Sequence, residues 1–276
     1  MQLHDFPQYE NVDETIPRLA AMGYDGLEFW DQYLSKADIG RLANILKDND
    51  IRAAQLVPYL EFTLGDERWQ WSVKMAEKYI QHCLQLDCSL IRTYANCPWE
   101  QRLPFPPTGR PLSKGADATK AQWKAAVRGL KKICTIGNKH DIRFPLENTY
   151  GLLDSSDLTL KLLDEVGAEN LGVNLQVPLA TDQEKGMSYM DSVEKLGKHV
   201  IHVHANNYTV KDTTKGQTFL DEGWIDYEAV LKRIRGFGFD GYVSVEHASH
   251  GGYPPLEIAE HEISYLKNVV KKIEDK

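Results

Sequence analysis

Short runs rich in β-branched and aromatic residues alternate along the chain with longer segments whose apolar positions recur at three and four. The first kind predicts strands at 25–29 (DGLEF), 51–57 (IRAAQLV), 90–95 (LIRTYA), 142–147 (IRFPLE), 171–175 (LGVNL), 199–205 (HVIHVHA) and 241–247 (GYVSVEH). The second predicts amphipathic helices such as Asp13–Met22, Lys36–Lys47, Arg68–Leu86, Lys120–Asn138, Asp154–Val166 and Tyr227–Arg235. Regular βα alternation implies a parallel sheet with the helices outside it.

The joints repeat too. Met22-Gly-Tyr-Asp-Gly26 and Phe237-Gly-Phe-Asp-Gly241 share one pattern, and Asp50-Ile-Arg52 and Asp141-Ile-Arg143 share another. A helix-to-strand turn used this often suits a closed barrel, in which every helix must hand the chain back to the same sheet. A short first strand within Met1–Phe6, ahead of the turn at Pro7, brings the strand count to eight. The expected fold is therefore an α/β, (β/α)8 TIM barrel in a single domain over 1–276, with an open doubly wound sheet as the alternative. Two long connections, Ala95–Ala118 and Ala205–Trp224, follow strand C-termini and would overhang the face where barrel enzymes keep their sites.

With 276 residues, 42% of them hydrophobic, the chain can form one large core. No run approaches the ~20 apolar residues of a membrane span, and MQLHDFPQYENVDE lacks the basic and apolar regions of a signal peptide, so a cytoplasmic protein is expected. Cys83, Cys88, Cys97 and Cys134 have neither zinc-site spacing nor the density of a disulfide framework and read as reduced structural thiols. A net charge of −8 without a basic run argues against a nucleic-acid partner and favours a small, weakly charged ligand.

On this layout polar residues gather at the strand ends: Glu28, Gln55, Arg92, Glu147, Gln176, His202, His204, Glu246 and His247. Any one carboxylate there could be a solvated rim residue, but the agreement of strands five, seven and eight points to a site. His202 and His204 share one face of their strand, while Ile201 and Val203 take the other, so the histidines are expected inside the barrel, as core donors or as site residues. The aromatics Phe29, Trp30, Tyr59, Trp99 and Trp224 either stack on a sugar ring or pack loops onto the barrel. Gly236–Gly241 matches G-x-G-x-x-G, but it follows a helix and precedes a strand, the reverse of a dinucleotide fingerprint, and reads as a turn.

The segments Pro145-Leu-Glu-Asn148, Leu171-Gly-Val-Asn-Leu175, His202-Val-His204, Gly223-Trp-Ile-Asp-Tyr227 and Gly241-Tyr-Val-Ser-Val-Glu246 resemble, in order and over nearly the whole chain, the xylose isomerase-like sugar phosphate isomerase/epimerase barrels. The resemblance implies one divalent metal (Mn, Co, Mg or Zn) held by Glu147, Gln176, His204 and Glu246, with Glu147 and Glu246 also moving the proton. The family has an aspartate where this chain has Gln176, and a histidine three residues later where it has Leu179. A glutamine carbonyl can still ligate a hard or borderline cation, though without the negative charge.

The function implied is a sugar isomerase or epimerase working through an enediolate on a small ketose or keto-sugar. His202, Trp224, Arg92 and Lys211 are candidate substrate contacts, and a homo-oligomer is expected. Elimination from a keto-sugar, by a lyase or dehydratase, would use the same base and metal. A catalytically silent sugar-binding barrel is the non-enzymatic alternative, suggested by Gln176 and Leu179. An endonuclease would need more His and Asp ligands and a cationic groove.

Overall fold

Backbone hydrogen bonds close the sheet into a ring. The computed structural model describes residues 1–2, 11–108, 112, 114–149, 151–211, 216–246 and 249–275. Strand β1 comprises residues 1–2. It is followed by β2 (Gly26–Trp30), β3 (Arg52–Val57), β4 (residues 90–93), β5 (Phe144–Glu147), β6 (Leu171–Leu175), β7 (Val200–Ala205) and β8 (Val243–Val245). β2 pairs with β3, β5 with β6, β6 with β7 and β7 with β8, all in parallel. Isolated bridges join β4 to its neighbours, with Arg92 N donating to Leu56 O at 2.9 Å and Thr93 N to Pro145 O at 2.9 Å. β1 makes the last link: Glu28 N donates to Met1 O at 2.9 Å, and Gln2 N donates to Val245 O at 3.1 Å. An open sheet would leave two edges unpaired; here the first and last strands share a hydrogen bond, and the doubly wound alternative is excluded.

Among the described residues, eight longer helices surround the ring: α1 (Val12–Met22), α2 (Ile39–Asp48), α3 (Asp66–Leu86), α4 (Lys120–Gly137), α5 (Ser156–Val166), α6 (Tyr189–Leu196), α7 (Tyr227–Arg235) and α8 (Pro255–Glu274). Each begins where local chemistry favours it. Asp38, Ser155 and Asp226 cap α2, α5 and α7 with their side chains, and Thr119 with Gln122 forms a capping box on α4. Among the described residues no helix is long and apolar enough to cross a membrane.

The repeated joints have a conformational reason. Gly23 and Gly238 occupy equivalent places in their motifs and have φ of +96° and +92°, a region open to glycine at little cost. Asp50 and Asp141, which open the other pair of joints, also have positive φ (51° and 56°), and aspartate is among the few other residues that visit it. Gly236–Gly241 lies between α7 and β8 and forms a turn, as its order in the sequence indicates.

Several elements differ from the expected spans. Of the predicted first strand, residues 3–6 lie outside the described set, as does His247 at the end of the eighth. β8 is only three residues long, but Glu246 N continues its ladder by donating to Ala205 O at 3.0 Å. The connection after β7 contains a small antiparallel pair, Asn207–Tyr208 with Gln217–Thr218. All four cysteines are free and buried.

Candidate active site

Period-two alternation gives each barrel strand two destinations. Leu27 and Phe29 join the core beneath the helices, whereas Glu28, between them, meets histidines from β7 across the lumen. In the same way β7 packs Val203 into the core and sends His202 and His204 inward. A barrel interior is ordinarily filled with branched apolar side chains. This one holds Gln2, Glu28, Gln55, Arg92, Asn174, His202, His204 and Ser244, each at most 1% exposed.

Two levels of polar side chains result. In the deeper one, His202 Nε2 lies 2.8 Å from Glu28 Oε1 and 3.1 Å from Ser244 Oγ. The level nearer the mouth gathers Glu147 at the end of β5, Gln176 just past β6, and Glu246 just past β8. His204 links the levels: its Nδ1 is 3.2 Å from Glu246 Oε1 and its Nε2 is 3.3 Å from Glu28 Oε1. Gln176 and Asn206 each donate an amide N–H to Glu246 Oε2, and Gln176 Oε1 accepts from the Thr149 hydroxyl at 2.5 Å.

Arg92 is wholly buried against this cluster. Its Nε is 3.2 Å from Glu147 Oε2, its Nη1 is 3.1 Å from His204 Nε2, and its guanidinium carbon lies 4.2 Å from the Trp30 ring centre. Trp30, Tyr59, Tyr94 and Trp99 make tilted and edge-on contacts beside it, with Trp30 and Tyr59 5.6 Å apart and Tyr94 and Trp99 5.5 Å apart. The aromatic group therefore forms one wall on β2–β4.

These environments shift the titrations. Burial pushes Glu28 up, but the charge of His204 and hydrogen bonds from both histidines outweigh it and hold the carboxyl well below the usual range. Burial drags His202 down to about 4 despite Glu28, so it is neutral near pH 7. For His204 burial also pulls down, yet Glu28 and Glu246 overcome it and raise the ring to about 9. Glu147 is raised by burial, with Arg92 and His204 offsetting only part of the effect.

A divalent cation fits this set on two grounds. Ligand atoms of Glu147, His204 and Glu246 lie within 4.8 Å of one another, and neither oxygen of Glu147 makes a well-aligned hydrogen bond among the described residues. Charge agrees once His204 gives up its proton to serve as a ligand: Glu28, Glu147 and Glu246 then face the guanidinium of Arg92, and the two positive charges of the ion would neutralise the buried group. Glu28, His202 and His204 also have ligand atoms within 4.8 Å, but there Glu28 and His202 already contact each other at 2.8 Å, a pairing an ion would have to displace.

The structure thus brings together Glu147, Gln176, His204, Glu246 and Arg92. His202 sits a level deeper. Trp224 and Lys211 stand on the connection after β7: the Trp224 indole donates to Val210 O at 3.1 Å, stacks edge-on with Tyr189 at 5.4 Å, and has Lys211 Nζ 5.9 Å from its ring centre. Sequence reasoning did not single out Asn206, Gln2, Asn174 or Ser244. Asn174 and Ser244 were within reach of it, since each stands two residues before a chosen position, Gln176 or Glu246, on the same face.

A family model described as a xylose isomerase-like TIM barrel matches residues 16–269, and the chain belongs to that family. An uncharacterized protein, MJ1311 of Methanocaldococcus jannaschii, is 24% identical over 152 residues, covering 53% of this chain and 50% of the relative. The chain thus matches about half the length of that curated relative. Among solved structures, the probable 3-DHS dehydratase AsbF of Bacillus anthracis aligns with a TM-score of 0.74 at 22% identity, covering 92% of this chain and 93% of that one. L-ribulose 3-epimerase aligns at 0.76 and 16%, covering 98% and 92%. A xylose isomerase-like barrel from Mycobacterium smegmatis in complex with magnesium aligns at 0.71 and 14%, covering 95% and 88%. At these identities the structural likeness establishes the fold, and reactions named for the neighbours remain theirs.

Proposed function

We propose that this chain is an isomerase or epimerase of a small ketose or keto-sugar, moving a proton on carbon next to a carbonyl. The observation that carries the reading is the pair of buried carboxylates, Glu147 and Glu246, on either side of His204, with ligand atoms of all three within 4.8 Å. Glu147, His204 and Glu246 would hold a divalent cation, with Gln176 as a fourth donor if its amide turns. When bound, the ion would polarise the substrate carbonyl and its neighbouring hydroxyl, easing loss of the adjacent proton.

The chain's own groups divide the remaining work. Glu246, whose Oε2 receives amide donors from Gln176 and Asn206, is held as an acceptor and takes the proton from carbon. Glu147, across the cation position from Glu246, returns one. Arg92, fixed beside Glu147, offers donors to the oxygen on which charge develops. The aromatic wall of Trp30, Tyr59 and Trp99 supplies flat surface for the apolar face of a sugar.

The test is deuterium uptake. Full-length protein loaded with Mn2+ is incubated in D2O with ketopentoses and ketohexoses. Label entering carbon next to the carbonyl, abolished in Glu246→Gln, supports the reading; no exchange with any substrate or metal contradicts it. The similarity to a probable dehydratase favours a second reading, elimination of water from a keto-sugar by the same base. An enone-like product absorbing in the ultraviolet, formed without exchange into recovered substrate, would select that outcome.

A further inference from the structure

His204 can serve a cation on the Glu147 and Glu246 side only if Nδ1 offers its lone pair there, which leaves the ring proton on Nε2. That proton needs an acceptor. Arg92 Nη1 can only donate and lies against both ring nitrogens, 3.1 Å from Nε2 and 3.4 Å from Nδ1; the amide nitrogens of Gln2 (3.1 and 3.4 Å) and Asn174 (3.2 Å from each) do the same, and that of Gln55 is 3.3 Å from Nε2. Glu28 Oε1, at 3.3 Å, is the carboxylate oxygen in contact with it. We propose that Glu28 is a positioning residue for the cation site: it accepts the Nε2 proton of His204, fixing the tautomer that aims Nδ1 at Glu147 and Glu246. His202 holds Glu28 in place from the other side.

The surroundings support this assignment over a purely structural one. Glu28 is fully buried, and its Oε2 makes no hydrogen bond among the described residues. The Arg92 guanidinium comes no nearer than 3.9 Å, from Nη1 to Oε2, longer than either imidazole contact. A carboxylate kept in the lumen of a barrel needs compensation, and here that compensation comes chiefly from two rings, one of them a candidate ligand. His202 Nε2 points at Glu28 from 2.8 Å, so the order of contacts is His202, Glu28, His204, then the cation position. A ligand histidine commonly passes its other N–H to a carboxylate in this way.

The inference rests on the cation reading above, and the experiment separates the two. Equilibrium dialysis and visible absorption with Co2+ are run on the chelator-treated full-length chain, for wild type, Glu28→Gln and Glu28→Asp. The expected result is Co2+ affinity about 10–100-fold weaker in Glu28→Gln, a changed ligand-field spectrum and partial recovery in Glu28→Asp, with the circular dichroism of the metal-free proteins unchanged. Wild-type affinity and spectrum in Glu28→Gln would overturn the positioning role alone. A wild type that binds no Co2+ would overturn the cation site and, with it, this role. If Glu28→Gln does not fold, His202→Gln carries the test: several-fold weaker binding supports the role, and unchanged binding overturns it.

Discussion

His204 is drawn up to about 9 and His202 down to about 4 although they are two residues apart on one strand. The signs give opposite linkages in the metal-free protein. A raised histidine contributes stability that is complete below the unfolded pKa of ~6.5 and is lost as pH rises through 9; for His204 this is on the order of 3 kcal/mol. A lowered one contributes stability that is lost as pH falls from ~6.5 through 4. The thermal midpoint of the metal-free chain should therefore fall between pH 6.5 and 9, and His204→Gln should flatten that limb. A midpoint independent of pH there would contradict the geometry around His204. Arg92→Met, which leaves Glu147 facing Glu28 without the guanidinium, should destabilise the fold by about 3–5 kcal/mol in denaturant titration. Gln176→Asp should tighten Mn2+ binding about tenfold or more by adding a charged ligand where an amide now donates to Glu246. Equal affinity would show that Gln176 lies outside the coordination sphere.

At the scale of elements, the helix-to-strand joints show what glycine does here. A Cβ on Gly238 would meet nothing within 4 Å, so Gly238→Ala tests the positive φ alone and should cost about 1 kcal/mol. On Gly241 it would fall 2.6 Å from Ile201 O, a backbone atom, so Gly241→Ala should cost more, measured by chemical denaturation. These joints were legible in the sequence because one backbone demand recurs and leaves the same residues behind. Seven strands were legible because each is a short run rich in β-branched and aromatic residues set between helical segments. The gaps have local causes. β1 pairs through little more than Gln2, too short to carry a pattern, and the hairpin at Asn207–Tyr208 is two residues deep. In the site, Glu147, His204 and Glu246 stood out as polar groups at strand ends. The depth of His202 and the pairing of Arg92 with Glu147 depend on cross-barrel distances that no local pattern encodes.

For the whole molecule, barrel closure and site chemistry are one problem. Gln2 links β1 to β8 through its backbone while its side chain lies 3.1 Å from His204, so the residue that completes the ring also lines the floor of the site. Polar side chains from every strand or its immediate end enter the lumen, and with His204 neutral as a ligand their charges leave a deficit that one divalent ion would fill. The most direct measurement is metal content by plasma mass spectrometry on protein purified without a nickel column, for wild type and Glu147→Gln. The expected result is about one equivalent of Mn, Co, Zn or Mg in wild type, lost in the variant. Wild-type protein that stays empty after incubation with each of these ions would contradict cation-assisted proton transfer in this barrel.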